Sequence, residues 1–312
     1  MRALVTGCAG FIGSTLTDWL LTEGYEVIGI DRFSDYYSRD LKERNLSLAL
    51  KHPMFTLLEE DIVDMGTFPD VDYVFHLAAQ AGVRASWGES FAVYTRDNIQ
   101  ATQQLLEYYK ELKIKKFVYS SSSSVYGNVE LPMHEDLMLQ PISPYGVTKL
   151  AAEHLCYLYW KNYGMPTVSL RYFTVYGPRQ RPDMGINKFI NAVLKDEAII
   201  IYGDGHQTRD FTYVDDAVRA NIVAATSNIC GGAFNIGGGN RISVIDLIRT
   251  IEEITGKKAR LHHVEEQKGD VQDTWADARK AEELLRWHAQ IRIKEGLEQY
   301  VAWKNDMAAN YD

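Results

Sequence analysis

The chain has 312 residues, 46% of them hydrophobic, with a formal net charge of −9 and a pI near 5.4. It can bury one or two ordinary cores and has no bias toward disorder. Its acidic balance argues against sequence-independent binding of nucleic acid or of anionic membranes, since both need a basic face. No apolar run approaches the roughly 20 residues of a membrane span, and Met1-Arg-Ala-Leu-Val-Thr6 leads into a glycine motif rather than a signal peptide. A cytoplasmic location is expected. Cys8, Cys156 and Cys230 are widely spaced, so neither a disulfide framework nor a zinc site is suggested, and His262-His263 is an isolated pair. No metal is expected.

Residues 2–6 read as a short buried strand, followed at once by Gly7-Cys-Ala-Gly10-Phe-Ile-Gly13. Ile12, Leu16, Trp19 and Leu20 then repeat with helical period, and Gly24 sits where a helix ends. Residues 25–30 form a second strand ending at Asp31. This is a strand, glycine loop, helix and strand with an acid about twenty residues beyond the loop. Glycines let backbone N–H groups approach a pyrophosphate at the positive end of the helix. Asp31 can accept both adenosine ribose hydroxyls, which favours NAD over NADP. Arg32 beside it can instead receive a 2′-phosphate.

The βα alternation continues with residues 54–58, then Asp61-Ile62, then 71–75 and His76-Leu-Ala-Ala79. Each marks the carboxyl end of a strand, where a doubly wound sheet binds its ligand. Residues 89–112 read as one long helix and 116–119 as the next strand, which ends in five serines, Ser120 to Ser124. These are expected to be a row of hydroxyl donors at the site. Pro144 opens a helix on which Tyr145 and Lys149 stand at i and i+4, on one face. A cation a few Å from a phenol lowers its titration by roughly one to three units, making Tyr145 a candidate general acid/base.

Further on, residues 167–170 read as a strand and 171–184 as a loop carrying Arg179 and Arg181, both candidate anion contacts. A helix over 185–195, a strand over 199–202 and a return to the main domain over 209–215 follow. Residues 234–236 read as a last core strand, and Ser243 caps a helix ending at Gly256. The expected fold class is α/β: a Rossmann-type doubly wound parallel sheet with a smaller carboxy-terminal mixed α/β substrate domain. Residues 1–174 with 206–240 are assigned to the first, and 175–205 with 241–312 to the second.

Thr6-Gly-x-x-Gly-x-x-Gly13, Asp61-Ile62, His76-Leu-Ala-Ala79, the serine-rich strand end and Tyr145-x-x-x-Lys149 together resemble the extended short-chain dehydrogenase/reductase family of nucleotide-sugar epimerases and dehydratases. The resemblance spans essentially the whole chain. It implies that Tyr145 is the base, that Lys149 holds the nicotinamide ribose and lowers the tyrosine's pKa, and that Ser122 binds the sugar. It implies an NAD site of Gly7, Gly10, Phe11, Ile12, Gly13, Asp31, Arg32, Asp61, Ile62, Leu77, Ala78, Ala79, Asn98, Ser120, Tyr145, Lys149 and Tyr172. Arg209 is implied as a diphosphate ligand and Asp270 as a nucleotide-ribose contact. Gln267 stands where some relatives carry an arginine, which leaves one phosphate contact open.

Relatives that eliminate water or carbon dioxide place acids where this chain has Ser123 and Ser124, so the expected outcome of C4 oxidation is epimerisation. Residues 82–88 and 174–184 are most similar to those of UDP-glucuronate 4-epimerases. The implied UDP-sugar site adds Arg84, Ser86, Ser122, Ser123, Ser124, Thr174 and Arg181, the last reading either the carboxylate or the diphosphate. A UDP-glucose 4-epimerase is the first alternative, a UDP-glucuronate decarboxylase the second, and a non-catalytic NAD-binding protein the rival of a different class. Family members pair two long helices into a bundle, which implies a homodimer here, with Leu155, Leu158 and Tyr159 at bundle-like spacing.

Overall fold

The computed structural model describes residues 1–265 and 271–311. β1 (Arg2–Thr6) is buried after its first residue and turns at Gly7 into α1 (Phe11–Thr22). Gly7 has φ +69°, and a Cβ on Gly13 would lie 2.1 Å from the Gly7 carbonyl oxygen. Only glycine at both positions lets the helix close against the loop. β2 (Glu26–Ile30), α2 (Arg39–Asn45), β3 (Phe55–Leu58) and β4 (Tyr73–His76) follow.

The single helix expected over 89–112 is present over 91–109 but is not regular. α3 (Phe91–Tyr94) and α4 (Ala101–Tyr109) are joined by a π-helical turn, Thr95–Gln100. Two polar anchors explain it: Asn98 is bonded to Gln80 and Thr148, and Asp97 to Arg32. Widening the helix by one turn aims both inward. β5 (Lys116–Ser122) runs further than expected, into the serines, and α5 (Pro144–Tyr163) follows, its first turn capped by the Ser143 hydroxyl, which accepts from Gly146 N.

The remaining elements are β6 (Thr167–Tyr172), β7 (Thr174–Tyr176), α6 (Gly185–Lys195), β8 (Ala198–Tyr202), β9 (Thr208–Tyr213), α7 (Val214–Thr226), β10 (Ala233–Ile236), β11 (Asn240–Ser243), α8 (Val244–Thr255), β12 (Arg260–Val264) and α9 (Ile293–Tyr311). Seven strands form one parallel sheet in the order β10-β6-β5-β4-β1-β2-β3. Its strands are covered on both faces and therefore read as continuous apolar runs. Val5, Phe75, Val118 and Leu170 pack with α1 and α7, whereas Leu4, Val74, Phe117 and Tyr119 pack with α4 and α5.

The order reverses between β1 and β4, which opens a crevice at the carboxyl ends of those strands. Beyond the sheet, β11-β9-β7 and β12-β8 form two small sheets, and the apolar faces of α6, α8 and α9 continue the α1/α7 core. The two walls of the crevice are thus built differently: one from the ends of a single sheet, the other from loops and short strands.

Candidate active site

The sheet-side wall begins at the start of α1. Gly10 occupies the N-cap and offers no side-chain cap, so N–H groups of the first turn remain for a ligand. At the end of β2, Asp31 accepts from Ala9 N at 3.1 Å and Phe33 N at 2.9 Å, one bond to each carboxylate oxygen. Burial pushes its carboxyl up, opposed by the Phe33 bond and by the Lys42 charge. The expectation that Arg32 can receive a 2′-phosphate meets an obstacle. Its guanidinium is bonded to Asp61 at 2.9 Å and to Asp97 at 2.9 and 2.6 Å, so two acids already hold it.

One cavity runs along this wall, lined by Gly7, Gly10, Phe11, Ile12, Gly13, Asp31, Arg32, Asp61, Ile62, Leu77, Ala78, Ala79, Ser120, Tyr145, Lys149 and Tyr172. Asn98, expected among them, lies behind it. Its amide donates to Gln80 O and Thr148 and accepts from Gln80 N, so it braces the loop after β4 against α5. The uncapped helix start, the glycine loop and Asp31 fit a dinucleotide with free ribose hydroxyls. A further sign is the Tyr37 hydroxyl, on the same cavity and buried without a partner among the described residues.

At the far end, Tyr145 lines the cavity beside the Ser122 hydroxyl, which favours loss of the phenol proton. Lys149 Nζ donates to Ser120 O at 2.7 Å and lies 5.0 Å from the centre of the Tyr119 ring. Burial pushes Lys149 down to about 7, with Cys156 opposing. The tyrosine corrects the sequence reading: burial holds its phenol above the ordinary value. The groups working against burial are the Ser122 hydroxyl and the Arg181 charge, not Lys149. The lysine's ammonium is instead directed at the Ser120 carbonyl.

The serine run is likewise not a simple row of donors, because side chains alternate along a strand. Ser121 lines the cavity, but its hydroxyl is committed to Glu153, to which it donates at 2.6 Å; Glu153 in turn pairs with Arg171 at 2.6 Å. Arg171 also donates to the Tyr126 hydroxyl, and Tyr126 to Asn235. Sequence reading missed this network, although an acid on an apolar strip of α5 and an arginine inside a strand were visible signals. Ser122 accepts from Ser124 N at 3.1 Å as the chain turns through Ser123–Val125.

On the opposite wall, Arg181 lines the cavity and pairs with Asp183 at 3.0 and 3.1 Å. Arg179 does not serve as an anion contact: with φ +67° it reaches Asp18 of α1 at 2.7 Å and pins the loop. Thr174 is half-buried at the start of β7. The guanidinium of Arg84 stacks 4.1 Å above the Tyr202 ring, tying the loop after β4 to β8. Ser86 is wholly buried and donates to Val83 O at 2.6 Å, so its hydroxyl is spent within its own turn. Arg209 donates to Thr208 O and Gln272 O at 2.9 and 2.8 Å, beside the chain that follows β12. Asp270, like Gln267, lies outside the described residues. Tyr36 and Tyr37, also on the cavity, were not foreseen.

Residues 4–300 match the family described as GDP-mannose 4,6 dehydratase. The chain is 44% identical to an uncharacterized UDP-glucose epimerase, YtcB, of Bacillus subtilis (strain 168), over 98% of this chain and 99% of that protein. It is 43% identical to a UDP-glucuronate 4-epimerase of Thermodesulfobacterium geofontis (strain OPF15), over 97% and 96%. Among solved structures, the UDP-glucuronic acid 4-epimerase of Bacillus cereus, in complex with UDP-glucuronic acid and NAD, superposes with a TM-score of 0.95 at 45% identity, covering 98% of this chain and 100% of that one.

Proposed function

Because the chain belongs to the extended short-chain dehydrogenase/reductase family of NAD-dependent epimerases and dehydratases, we propose that it interconverts UDP-glucuronate and UDP-galacturonate by inversion at C4. It is an NAD-dependent isomerase. The observation that carries the choice of sugar is the Arg181 guanidinium, which lines the same cavity as Tyr145 and acts on its phenol. A cation at the reacting end of the cleft suits a sugar with a carboxylate at C6 better than a neutral hexose.

Tyr145 takes the proton of the C4 hydroxyl as its phenolate; burial disfavours that form in the ligand-free cavity, and the Ser122 hydroxyl and the Arg181 charge favour it. Lys149, anchored on Ser120 O, would hold the nicotinamide ribose. NAD bound along the sheet-side wall would supply reversible hydride transfer at C4, so that the sugar passes through a 4-keto form. Such a sugar is a β-keto acid that loses carbon dioxide readily. Ser122, Ser123, Ser124 and Thr174 are assigned to hold its carboxylate away from the geometry of that loss, and Arg209 and Asp270 to the nucleotide end. Neither Ser123 nor Ser124 can act as an acid for elimination.

The test is incubation with UDP-glucuronate, UDP-glucose and UDP-xylose, with resolution of the products. Turnover of UDP-glucose alone would replace this reading with a UDP-glucose 4-epimerase. The division into residues 1–174 with 206–240 and 175–205 with 241–312 is part of the same proposal. So are a cytoplasmic setting and a homodimer; no helix among the described residues is long and apolar enough to cross a membrane. Val147, Tyr157 and Leu158 of α5 are exposed and suit a partner, whereas Tyr159, expected with them, packs in its own subunit and donates to Glu107 at 2.6 Å. Light scattering that gave only 35.5 kDa at micromolar concentration would refute the dimer.

A further inference from the structure

Arg181 enters the cavity already neutralised. Its Nε and Nη2 reach the two carboxylate oxygens of Asp183 at 3.0 and 3.1 Å, the fork that a guanidinium forms with any carboxylate or phosphate. Tyr36, from the loop after β2, donates to the same carboxylate at 3.3 Å, and its ring centre lies 5.8 Å from the guanidinium. Burial pushes Asp183 up, but the bonds and charge of Arg181 more than offset this and hold its carboxyl below the ordinary range. We propose that Asp183 is a specificity-determining residue: an internal stand-in for an anionic group of the substrate, occupying Arg181 until that group displaces it. This rests on the reading of the cavity as a UDP-sugar site.

The surroundings favour exchange of side chains over opening of the loop. Arg179 is fixed to Asp18, and Gln180 donates to Val175 O while its own side-chain oxygen accepts from Asn187 N. The backbone before Arg181 is therefore held on several sides. Asp183 itself sits immediately before Met184, the N-cap of α6, and that helix has neither a side-chain cap nor an acid in its first turn. A carboxylate released from Arg181 thus has a favourable place beside the positive end of α6. Leaving Arg181 unpaired is the costly alternative, since a half-buried guanidinium beside Tyr36 and Tyr145 has no other acid in reach among the described residues. An anionic ligand must compete with Asp183, and its apparent affinity falls by the fraction of time the arginine is taken. A ligand that is neutral at this position leaves the pair intact and is not penalised.

Removing the competitor should reveal which group it competes with. Holoenzyme carrying NAD, in a Tyr145→Phe background that stops turnover, would be titrated calorimetrically with UDP-glucuronate, UDP-glucose and UDP, with and without Asp183→Asn. The expected result is UDP-glucuronate tightened about tenfold, and the other two changed less than about twofold. Equal tightening of all three would keep Asp183 as the stand-in but assign Arg181 to the diphosphate, and the glucuronate reading would lose its support. No tightening of any ligand, or a loss of affinity, would overturn the inference, because Asp183 would then remain on Arg181 in the complex and only position it. Tyr36→Phe guards against a folding artefact: it loosens Asp183 without changing charge, and should move the same ligand the same way by about two- to threefold. A shift in the opposite direction counts against the proposal.

Discussion

The two walls of the cavity recognise by different means. The sheet-side wall presents backbone N–H groups of the α1 start, one carboxylate at the end of β2 and a lysine anchored on a strand carbonyl. Its geometry is set by seven strands in register and by glycines that no other residue can replace. The opposite wall is assembled from side-chain contacts between segments far apart in the chain: Arg179 with Asp18, Arg84 with Tyr202, and Tyr36 with the local Arg181–Asp183 pair. The difference teaches where each property resides. Under the proposed function, the cofactor would be held by parts that cannot rearrange, while the sugar would be chosen by side-chain pairs able to exchange partners.

The largest effect should come from the sheet-side wall. Tyr145→Phe removes the proton carrier and should lower kcat by roughly 10² to 10⁴, with NAD content of the purified protein and its melting temperature unchanged. Activity within a few-fold of the parent would break the assignment. Next comes the support behind that wall. Glu153→Ala leaves Arg171 buried without its partner, side-chain exposure being 5% for the arginine, and removal of one member of such a pair costs about 3–5 kcal/mol. Denaturant unfolding measures it, and a loss no greater than the ~0.5 kcal/mol of a surface change would show that the serine strand does not depend on the network.

The substrate wall should respond differently. Thr174→Ala, which leaves the sheet untouched, should weaken UDP-glucuronate binding or turnover about tenfold, the equivalent of one hydrogen bond to a charged group. Part of the product should appear as a UDP-pentose, with some enzyme left holding reduced cofactor. Product analysis alongside kcat/KM for UDP-glucuronate and UDP-glucose checks it. An unchanged product mixture and unchanged selectivity would place carboxylate restraint elsewhere on that wall.

The same contrast explains what was legible in the sequence. The glycine loop, Asp31, the parallel strands and the Tyr145/Lys149 spacing are local signals, because backbone recognition and strand packing impose residue types at fixed short intervals. The π turn was not legible, since it follows from where Gln80 and Thr148 place the amide of Asn98. Ser86 was implied as a ligand contact by the resemblance and Arg179 was read as one from residue type, yet one is bonded to Val83 O and the other to Asp18. β11, β12 and α9 carry no strong periodic signature and take their form from partners elsewhere in the chain. Tyr36 and Asp183 meet across 147 positions, which no spacing rule reveals.

The smallest expected effect is a slope, and it tests whether the sheet-side wall carries a strained charge in the ligand-free protein. Lys149 is pushed from the ordinary lysine value of 10.5 down to about 7 by burial. Below pH 7 it is protonated both folded and unfolded, and the folded state bears the full cost of the buried ammonium. Between about 7 and 10.5 the unfolded chain keeps the proton that the folded protein has lost, so stability rises with pH, by at most about 1.4 kcal/mol per pH unit for one proton. Lys149→Met keeps an unbranched stem but cannot titrate. It also leaves Ser120 O without its donor, which shifts stability by a constant; only the pH dependence of the difference is diagnostic. His76, pushed down to about 3 by burial and the Lys149 charge, and Cys156, raised by burial, also add to the pH dependence through their unfolded forms, but parent and variant both carry them, so the difference between the two profiles isolates Lys149. Unfolding curves of NAD-free protein from pH 6 to 10 should therefore show the variant gaining least relative to the parent at the alkaline end. Bound cofactor should flatten the slope if the lysine gains ribose oxygens as acceptors for its protonated form. Parallel pH profiles for parent and variant without cofactor would mean that the buried ammonium is already solvated, and that the sheet-side wall is less rigid than its strands suggest.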